Sequence, residues 1–193
     1  MNAAANGGPE AVAHKKFTTR DMTYTALFAV IIAVCSWLSI PATVPFTLQT
    51  FAVFAAVGIL GGKRGTVSVL IYLLLGALGV PVFAGFSGGV GVLFGSTGGY
   101  IAGFLLSALV MWLMEKTLGR KTWVLALSMV IGLIVCYFFG TLWFMFIYAR
   151  DTGPIGVMTA LGWCVFPYII PDLLKIALAL FLSKRIRKAV KLD

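Results

Sequence analysis

Thr122-Trp-Val-Leu-Ala-Leu-Ser-Met-Val-Ile-Gly-Leu-Ile-Val-Cys-Tyr-Phe-Phe-Gly-Thr-Leu-Trp-Phe-Met-Phe-Ile-Tyr148 contains no charged side chain. An apolar helix needs about 20 residues to cross the hydrocarbon of a bilayer, so this run is long enough to span it with tilt or to protrude. The pattern repeats on both sides, at approximately 22 to 40, 46 to 62, 65 to 80, 97 to 114 and 158 to 183, the second and third runs being short. Composition agrees: 61% of residues are hydrophobic and 11% charged, where soluble domains carry about a quarter charged. Mean hydropathy is +1.03. The expected fold is an all-α integral membrane protein with six transmembrane helices. Residues 22 to 193 form one membrane domain, and residues 1 to 21 read as a disordered polar tail.

Basic residues test this segmentation independently, because Lys and Arg near span ends favour the cytoplasmic side. With the N-terminus inside, the cytoplasmic ends hold Lys15, Lys16 and Arg20; Lys63 and Arg64; Lys116, Arg120 and Lys121; and Lys184, Arg185, Arg187, Lys188 and Lys191. Only Arg150, beside Asp151, and Lys175, inside a span, fall elsewhere. Both termini are therefore expected in the cytoplasm, with the chain in the cytoplasmic membrane. Division of the +9 net charge among four span ends argues against nucleic-acid binding and leaves the lipid surface as its partner. The tail lacks the apolar core of a cleavable signal, so the first helix is expected to stay in the mature protein. Thr18 or Thr19 is its expected N-cap, with Asp21 in the first turn.

Enzyme chemistry finds little support. His14 is the sole histidine, and Cys35, Cys136 and Cys164 lie far apart without metal-ligand spacing, which makes them expected buried thiols. Gly61-Gly-Lys-Arg64 resembles the end of a phosphate loop, yet Val57 occupies the position of the required glycine and Arg64 that of Ser or Thr. No cofactor is expected in this chain, and any ATP that drives transport is used by another polypeptide.

Function is expected where charge is buried. Asp172 and Lys175, in Pro171-Asp-Leu-Leu-Lys175, are the ionisable residues deep inside an apolar run. A charge at mid-membrane depth costs roughly 2.5–3.5 kcal/mol on insertion scales, so the two need pairing, water or a ligand. Their i, i+3 spacing puts them on one helical face. Pro167 and Pro171 predict a kink just before Asp172, and aromatics of the fifth run, Tyr137 and Trp143, are candidates to line the same face.

Two outer loops complete the picture. Residues 81 to 99 are uncharged and glycine-rich, and predict a lid folded back over the bundle or a packed connector. Ile40 to Thr50 contains two prolines that fix its backbone and presents Thr47 and Gln49 at the outer mouth, where Gln49 is either a ligand contact or an interfacial polar residue. Gly95, Gly99 and Gly103 form a small-residue face for close helix packing, and Ala29 and Ala33 offer a similar one on the first helix.

Pro45-Phe-Thr-Leu-Gln-Thr50, Gly79-Val-Pro-Val-Phe-Ala-Gly-Phe-Ser-Gly-Gly89, Gly95-Ser-Thr-Gly-Gly-Tyr100 and Pro171-Asp-Leu-Leu-Lys175 together resemble the BioY family, the biotin-binding S components of energy-coupling-factor (ECF) transporters. Where some relatives carry arginine in the glycine-rich loop, this chain has Ser87 and Gly88. The resemblance implies capture of biotin from outside, energised by a membrane-embedded T component and two cytoplasmic ABC ATPases. It further implies substrate contacts from Asp172, Lys175, Gln49, Tyr100, Thr47, Ser87 and Tyr137, and partner docking through Ala29 and Ala33. A competing class is a proton-coupled or facilitative carrier with Asp172 and Lys175 as a relay. In a third reading the pair is a structural bridge.

Overall fold

Thr18 opens the first helix, α1 (Thr19–Trp37). Its hydroxyl accepts the Asp21 N–H at 3.2 Å while the Asp21 carboxylate accepts the Thr18 N–H at 3.0 Å, a reciprocal capping box. The computed structural model describes residues 18–189, so His14, Lys15, Lys16, Lys191 and most of the expected tail lie outside the described residues. Thr18 as N-cap and Asp21 in the first turn are as expected, and residues 19–21 accordingly belong to α1 and not to the tail to which the domain division assigned them.

A small antiparallel hairpin follows α1, with β1 (Ser39–Ile40) paired to β2 (Phe46–Thr47), in place of the irregular loop expected there. The remaining elements are α2 (Gln49–Leu60), α3 (Gly62–Ala77), the one-turn α4 (Val90–Leu93), α5 (Gly98–Leu118), α6 (Thr122–Asp151), α7 (Val157–Cys164) and α8 (Ile169–Ala189). Among the described residues, four stretches are long and apolar enough to cross a membrane: 19–37, 98–118, 122–151 and 157–188, the last comprising α7 and most of α8. The second expected span is shorter than its apolar run, and the third keeps its 16 residues but starts three residues earlier, at Gly62. At about 1.5 Å per residue α2 reaches roughly 18 Å and α3 roughly 24 Å. Every residue of α2 except Phe51 is buried, so its uniform apolarity marks a helix enclosed by its neighbours.

Close helix contacts depend on missing side chains. Gly61, at φ +87°, turns the chain from α2 into α3 within one residue. A Cβ added at Gly99 would lie 2.2 Å from the Cβ of Trp143, and one added at Gly140 2.3 Å from the Tyr100 ring. These glycines, with Gly103 against Cys136, bring α5 and α6 together as the small-residue face predicts. Gly95 precedes α5, and its carbonyl instead accepts the Trp143 indole N–H at 2.9 Å. Ala29 and Ala33 need correction. They are buried in this chain's own core, while Leu27, Val30 and Val34 form the exposed side of α1. Their methyl groups pack the bundle and present no outward docking face.

Basic residues collect at one end. Arg64 pairs with Asp21 at 2.7 Å, linking α3 to the start of α1. Glu115 accepts the Gly62 N–H at 2.7 Å and pairs with Arg120 at 2.6 Å. Arg120 also shares a groove with Lys184, Arg185, Arg187 and Lys188 of α8. The hairpin and the glycine-rich segment occupy the opposite end, beyond the C-terminus of α1.

The last apolar run is broken rather than kinked at Asp172. α7 stops at Cys164, a 3-10 turn spans Phe166–Tyr168, and α8 starts at Ile169. Pro167 follows the end of α7, which it cannot extend. Pro171 lies in the first turn of α8, where its missing N–H would have no helical partner in any case. Asp172 is thereby placed in that first turn, at the positive end of the helix dipole.

Candidate functional site

Below the glycine-rich segment, the starts of α2, α5 and α8 and the middle of α6 line a cavity of about 110 Å³. Its wall includes all seven side chains selected from sequence: Thr47, Gln49, Ser87, Tyr100, Tyr137, Asp172 and Lys175. Their separation along the chain is closed by the hairpin, by the α5–α6 packing and by the break before α8.

Asp172 and Lys175 are 4% and 7% exposed, so bulk water does not solvate their charges. Each is satisfied internally. Lys175 Nζ is 2.8 Å from Asp172 Oδ1 and donates to the Thr47 carbonyl at 2.7 Å. The same ammonium stands 4.0 Å from the centre of the Phe46 ring, within range of a cation–π attraction. The other carboxylate oxygen, Oδ2, accepts the Tyr137 hydroxyl at 2.5 Å. Coulomb attraction, three hydrogen bonds and a ring face together offset the desolvation that pairing alone seldom recovers.

Other polar groups on the wall are also anchored. Gln49 donates from Nε2 to the Tyr72 hydroxyl at 2.8 Å and is buried, which excludes the interfacial alternative for this residue. Tyr100 and Thr141 join their hydroxyls at 2.8 Å. Ser87 donates to the Ala84 carbonyl at 2.8 Å, inside the glycine-rich segment. Thr47 Oγ1 accepts the Gln49 N–H at 3.2 Å while the Thr47 carbonyl serves Lys175. Apolar wall is supplied by Phe83, Val92, Ile101, Phe104 and Leu133.

The glycine-rich segment folds back over the bundle, and α1 holds it there. Ser36 Oγ donates to the Val82 carbonyl, the Trp37 indole N–H donates to the Pro81 carbonyl at 2.9 Å, and the Trp37 and Phe86 rings stack at 5.1 Å. Phe86 has φ +55°, a left-handed conformation for a bulky residue, which aims its ring at Trp37. Gly76 leaves room for the Phe83 ring, which would lie 2.0 Å from an added Cβ.

Several positions differ from expectation or were not anticipated. Trp143 is absent from the cavity wall and supports the segment from behind, through Gly95. Cys136 and Cys164 are buried free thiols that line the cavity, whereas Cys35 is partly exposed. Tyr168 also lines it and donates to the Val44 carbonyl, tying the turn before α8 to the hairpin loop. Cys136, Cys164 and Tyr168 lie in apolar stretches whose sequence carries no signal that separates wall from core. Among the described residues, no group of three or more His, Cys, Asp or Glu could hold a metal ion. The cavity wall suits a ligand with an apolar body and a polar head that offers N–H to a carboxylate and C=O to an ammonium.

Comparison with known proteins points the same way. The family model described as "BioY family" matches residues 11–192. "Biotin transporter BioY" of Thermotoga maritima is 41% identical over 170 residues, covering 88% of this chain and 96% of that protein. "Probable biotin transporter BioY" of Pyrococcus horikoshii is 40% identical over 169 residues, covering 87% and 96%. Among solved structures, the 2.1 Å crystal structure of the S-component for biotin from an ECF-type ABC transporter superposes with a TM-score of 0.78 at 28% identity, covering 88% of this chain and 91% of that one.

Proposed function

Because the chain belongs to the BioY family, we propose that the cavity beneath the glycine-rich segment is the site at which it captures biotin. The protein is a multi-pass membrane protein that takes up biotin as the substrate-binding subunit of an ECF-type transporter. One observation carries the site assignment: the buried Asp172–Lys175 pair, with the half-buried Tyr137 hydroxyl on it, stands against an apolar wall in the cavity. Biotin combines a ureido ring with an apolar thioether ring, a valeryl chain and a carboxylate. In this reading Asp172 accepts a ureido N–H and Lys175 donates to the ureido oxygen. Gln49, Tyr100, Thr47, Ser87 and the loop backbone contact the rest of the ligand nearer the mouth.

The topology belongs to the same proposal. Six segments cross the membrane, with α2 and α3 as short inner helices and α7–α8 as the broken sixth, and the basic end faces the cytoplasm. Transport is energised by a membrane-embedded T component and two cytoplasmic ABC ATPases. Support comes from Val57 and Arg64, which stand where a phosphate-binding loop would need glycine and a hydroxyl. Calorimetric titration of the purified, ligand-stripped protein with biotin tests the site. Saturable heat in the parent and its loss in Asp172→Asn and Lys175→Met, with helical content retained, is the expected result. Undiminished binding in both variants would place the ligand elsewhere.

A further inference from the structure

At the basic end, remote from the biotin cavity, a groove of about 580 Å³ opens between the start of α6 and the last turns of α8. Its polar wall is formed by Thr122, Arg120, Lys184, Arg185, Arg187 and Lys188, and no carboxylate lines it among the described residues. Part of this charge has other work. Arg120 pairs with Glu115, and Arg187 and Lys188 lie in the last turn of α8, where they offset the negative end of its dipole. Lys184 and Arg185 lie one turn further in and point to an additional anion.

A second feature of the groove agrees. Thr122 is the first residue of α6, a 30-residue helix with no side-chain cap and no acidic residue in its first turn. Free N–H groups at such a helix start attract anions, and here basic side chains surround them. What lies along the groove decides which anion. Phe181 on its wall is 58% exposed, and Leu178 and Trp123, also exposed, continue the apolar surface into the membrane-facing sides of α8 and α6. A soluble phosphate would use only the basic part. A ligand with a phosphate and acyl chains would use both.

We propose that this groove is a binding site for an anionic phospholipid, with its phosphate among Lys184, Arg185 and the first turn of α6 and its chains along Phe181, Leu178 and Trp123. The site joins the last helix to the α5–α6 turn through one lipid, separately from biotin capture.

Native mass spectrometry and thermal unfolding of the detergent-purified protein test the proposal, with phosphatidylglycerol, phosphatidylcholine or inorganic phosphate added. Phosphatidylglycerol alone is expected to remain bound at one per chain and to raise the melting temperature. The double variant Lys184→Gln/Arg185→Gln is expected to lose that lipid, with affinity lower on the order of 25-fold if each near-surface cation is worth about fivefold. Lys184→Arg should keep it, and biotin titration of each variant reports intact folding. Equal retention of phosphatidylcholine, equal stabilisation by inorganic phosphate, or unchanged phosphatidylglycerol binding in the double variant would overturn the assignment. So would stabilisation by an acidic peptide that displaces the lipid, which would make the groove a protein-docking surface.

Discussion

Tyr137 and Asp172 come from different helices, yet the Tyr137 hydroxyl donates at 2.5 Å to Oδ2, the carboxylate oxygen that Lys175 leaves free. Both oxygens of the buried acid are thus engaged before any ligand arrives. In the proposed site biotin would compete with these internal partners or add to them on the remaining lone pairs, and substitutions at the cluster separate these contributions.

Asp172→Asn retains the shape of the side chain and removes its charge. A hydrogen bond to a charged group is worth roughly 1.5–3 kcal/mol, so biotin affinity should fall by about 10- to 150-fold in calorimetric titration.

Lys175→Met fills the same space but leaves the Asp172 carboxylate without its cation and the Thr47 carbonyl without its donor. Removing one member of a buried ion pair costs about 3–5 kcal/mol, so thermal unfolding in detergent should show a marked loss of stability together with loss of biotin binding. A double variant that also carries Asp172→Leu should recover part of the stability and none of the binding.

Gly76→Val addresses the lid from beneath. A Cβ at residue 76 would lie 2.0 Å from the Phe83 ring, which must leave the cavity wall. Helical content measured by circular dichroism should stay near that of the parent while biotin affinity falls.

Trp37→Ala removes the indole donor to Pro81 and the stack on Phe86. Loss of these lid contacts should show chiefly in the dissociation rate of biotin, measured by washout of labelled ligand.

Ala29→Trp combined with Ala33→Trp separates packing from docking on α1. Each new ring must enter a filled core, and overpacking costs typically about 1–3 kcal/mol per site, so the melting temperature should drop with or without partner subunits.

How far the sequence could be read depended on how each feature is encoded. Buried charge in an apolar run is rare and costly, which made Asp172 and Lys175 stand out. Alternation of basic ends anticipated the single charged pole because it is a pattern of position, independent of contacts. The hairpin was not legible, since two-residue strands such as Ser39–Ile40 are too short to show a period. The faces of α1 were hidden for a different reason. An apolar helix whose outer side meets lipid shows little contrast between Val30, which is exposed, and Ala29, which is buried. Pro167 and Pro171 carried equal signals, and only the position of the α8 start distinguishes the residue that breaks the run from the one the first turn accepts.

α1 contains neither glycine nor proline in its 19 residues, so nothing in its sequence invites a kink over roughly 28 Å. Its first turn is tied to Arg64 through Asp21, and its last turn grips the lid through Ser36 and Trp37. The two poles of the molecule are in this way joined by one stiff rod. A tilt of α1 at the basic pole would displace its far end as a lever does, and with it the contacts that Ser36 and Trp37 make to the glycine-rich segment at the mouth of the cavity.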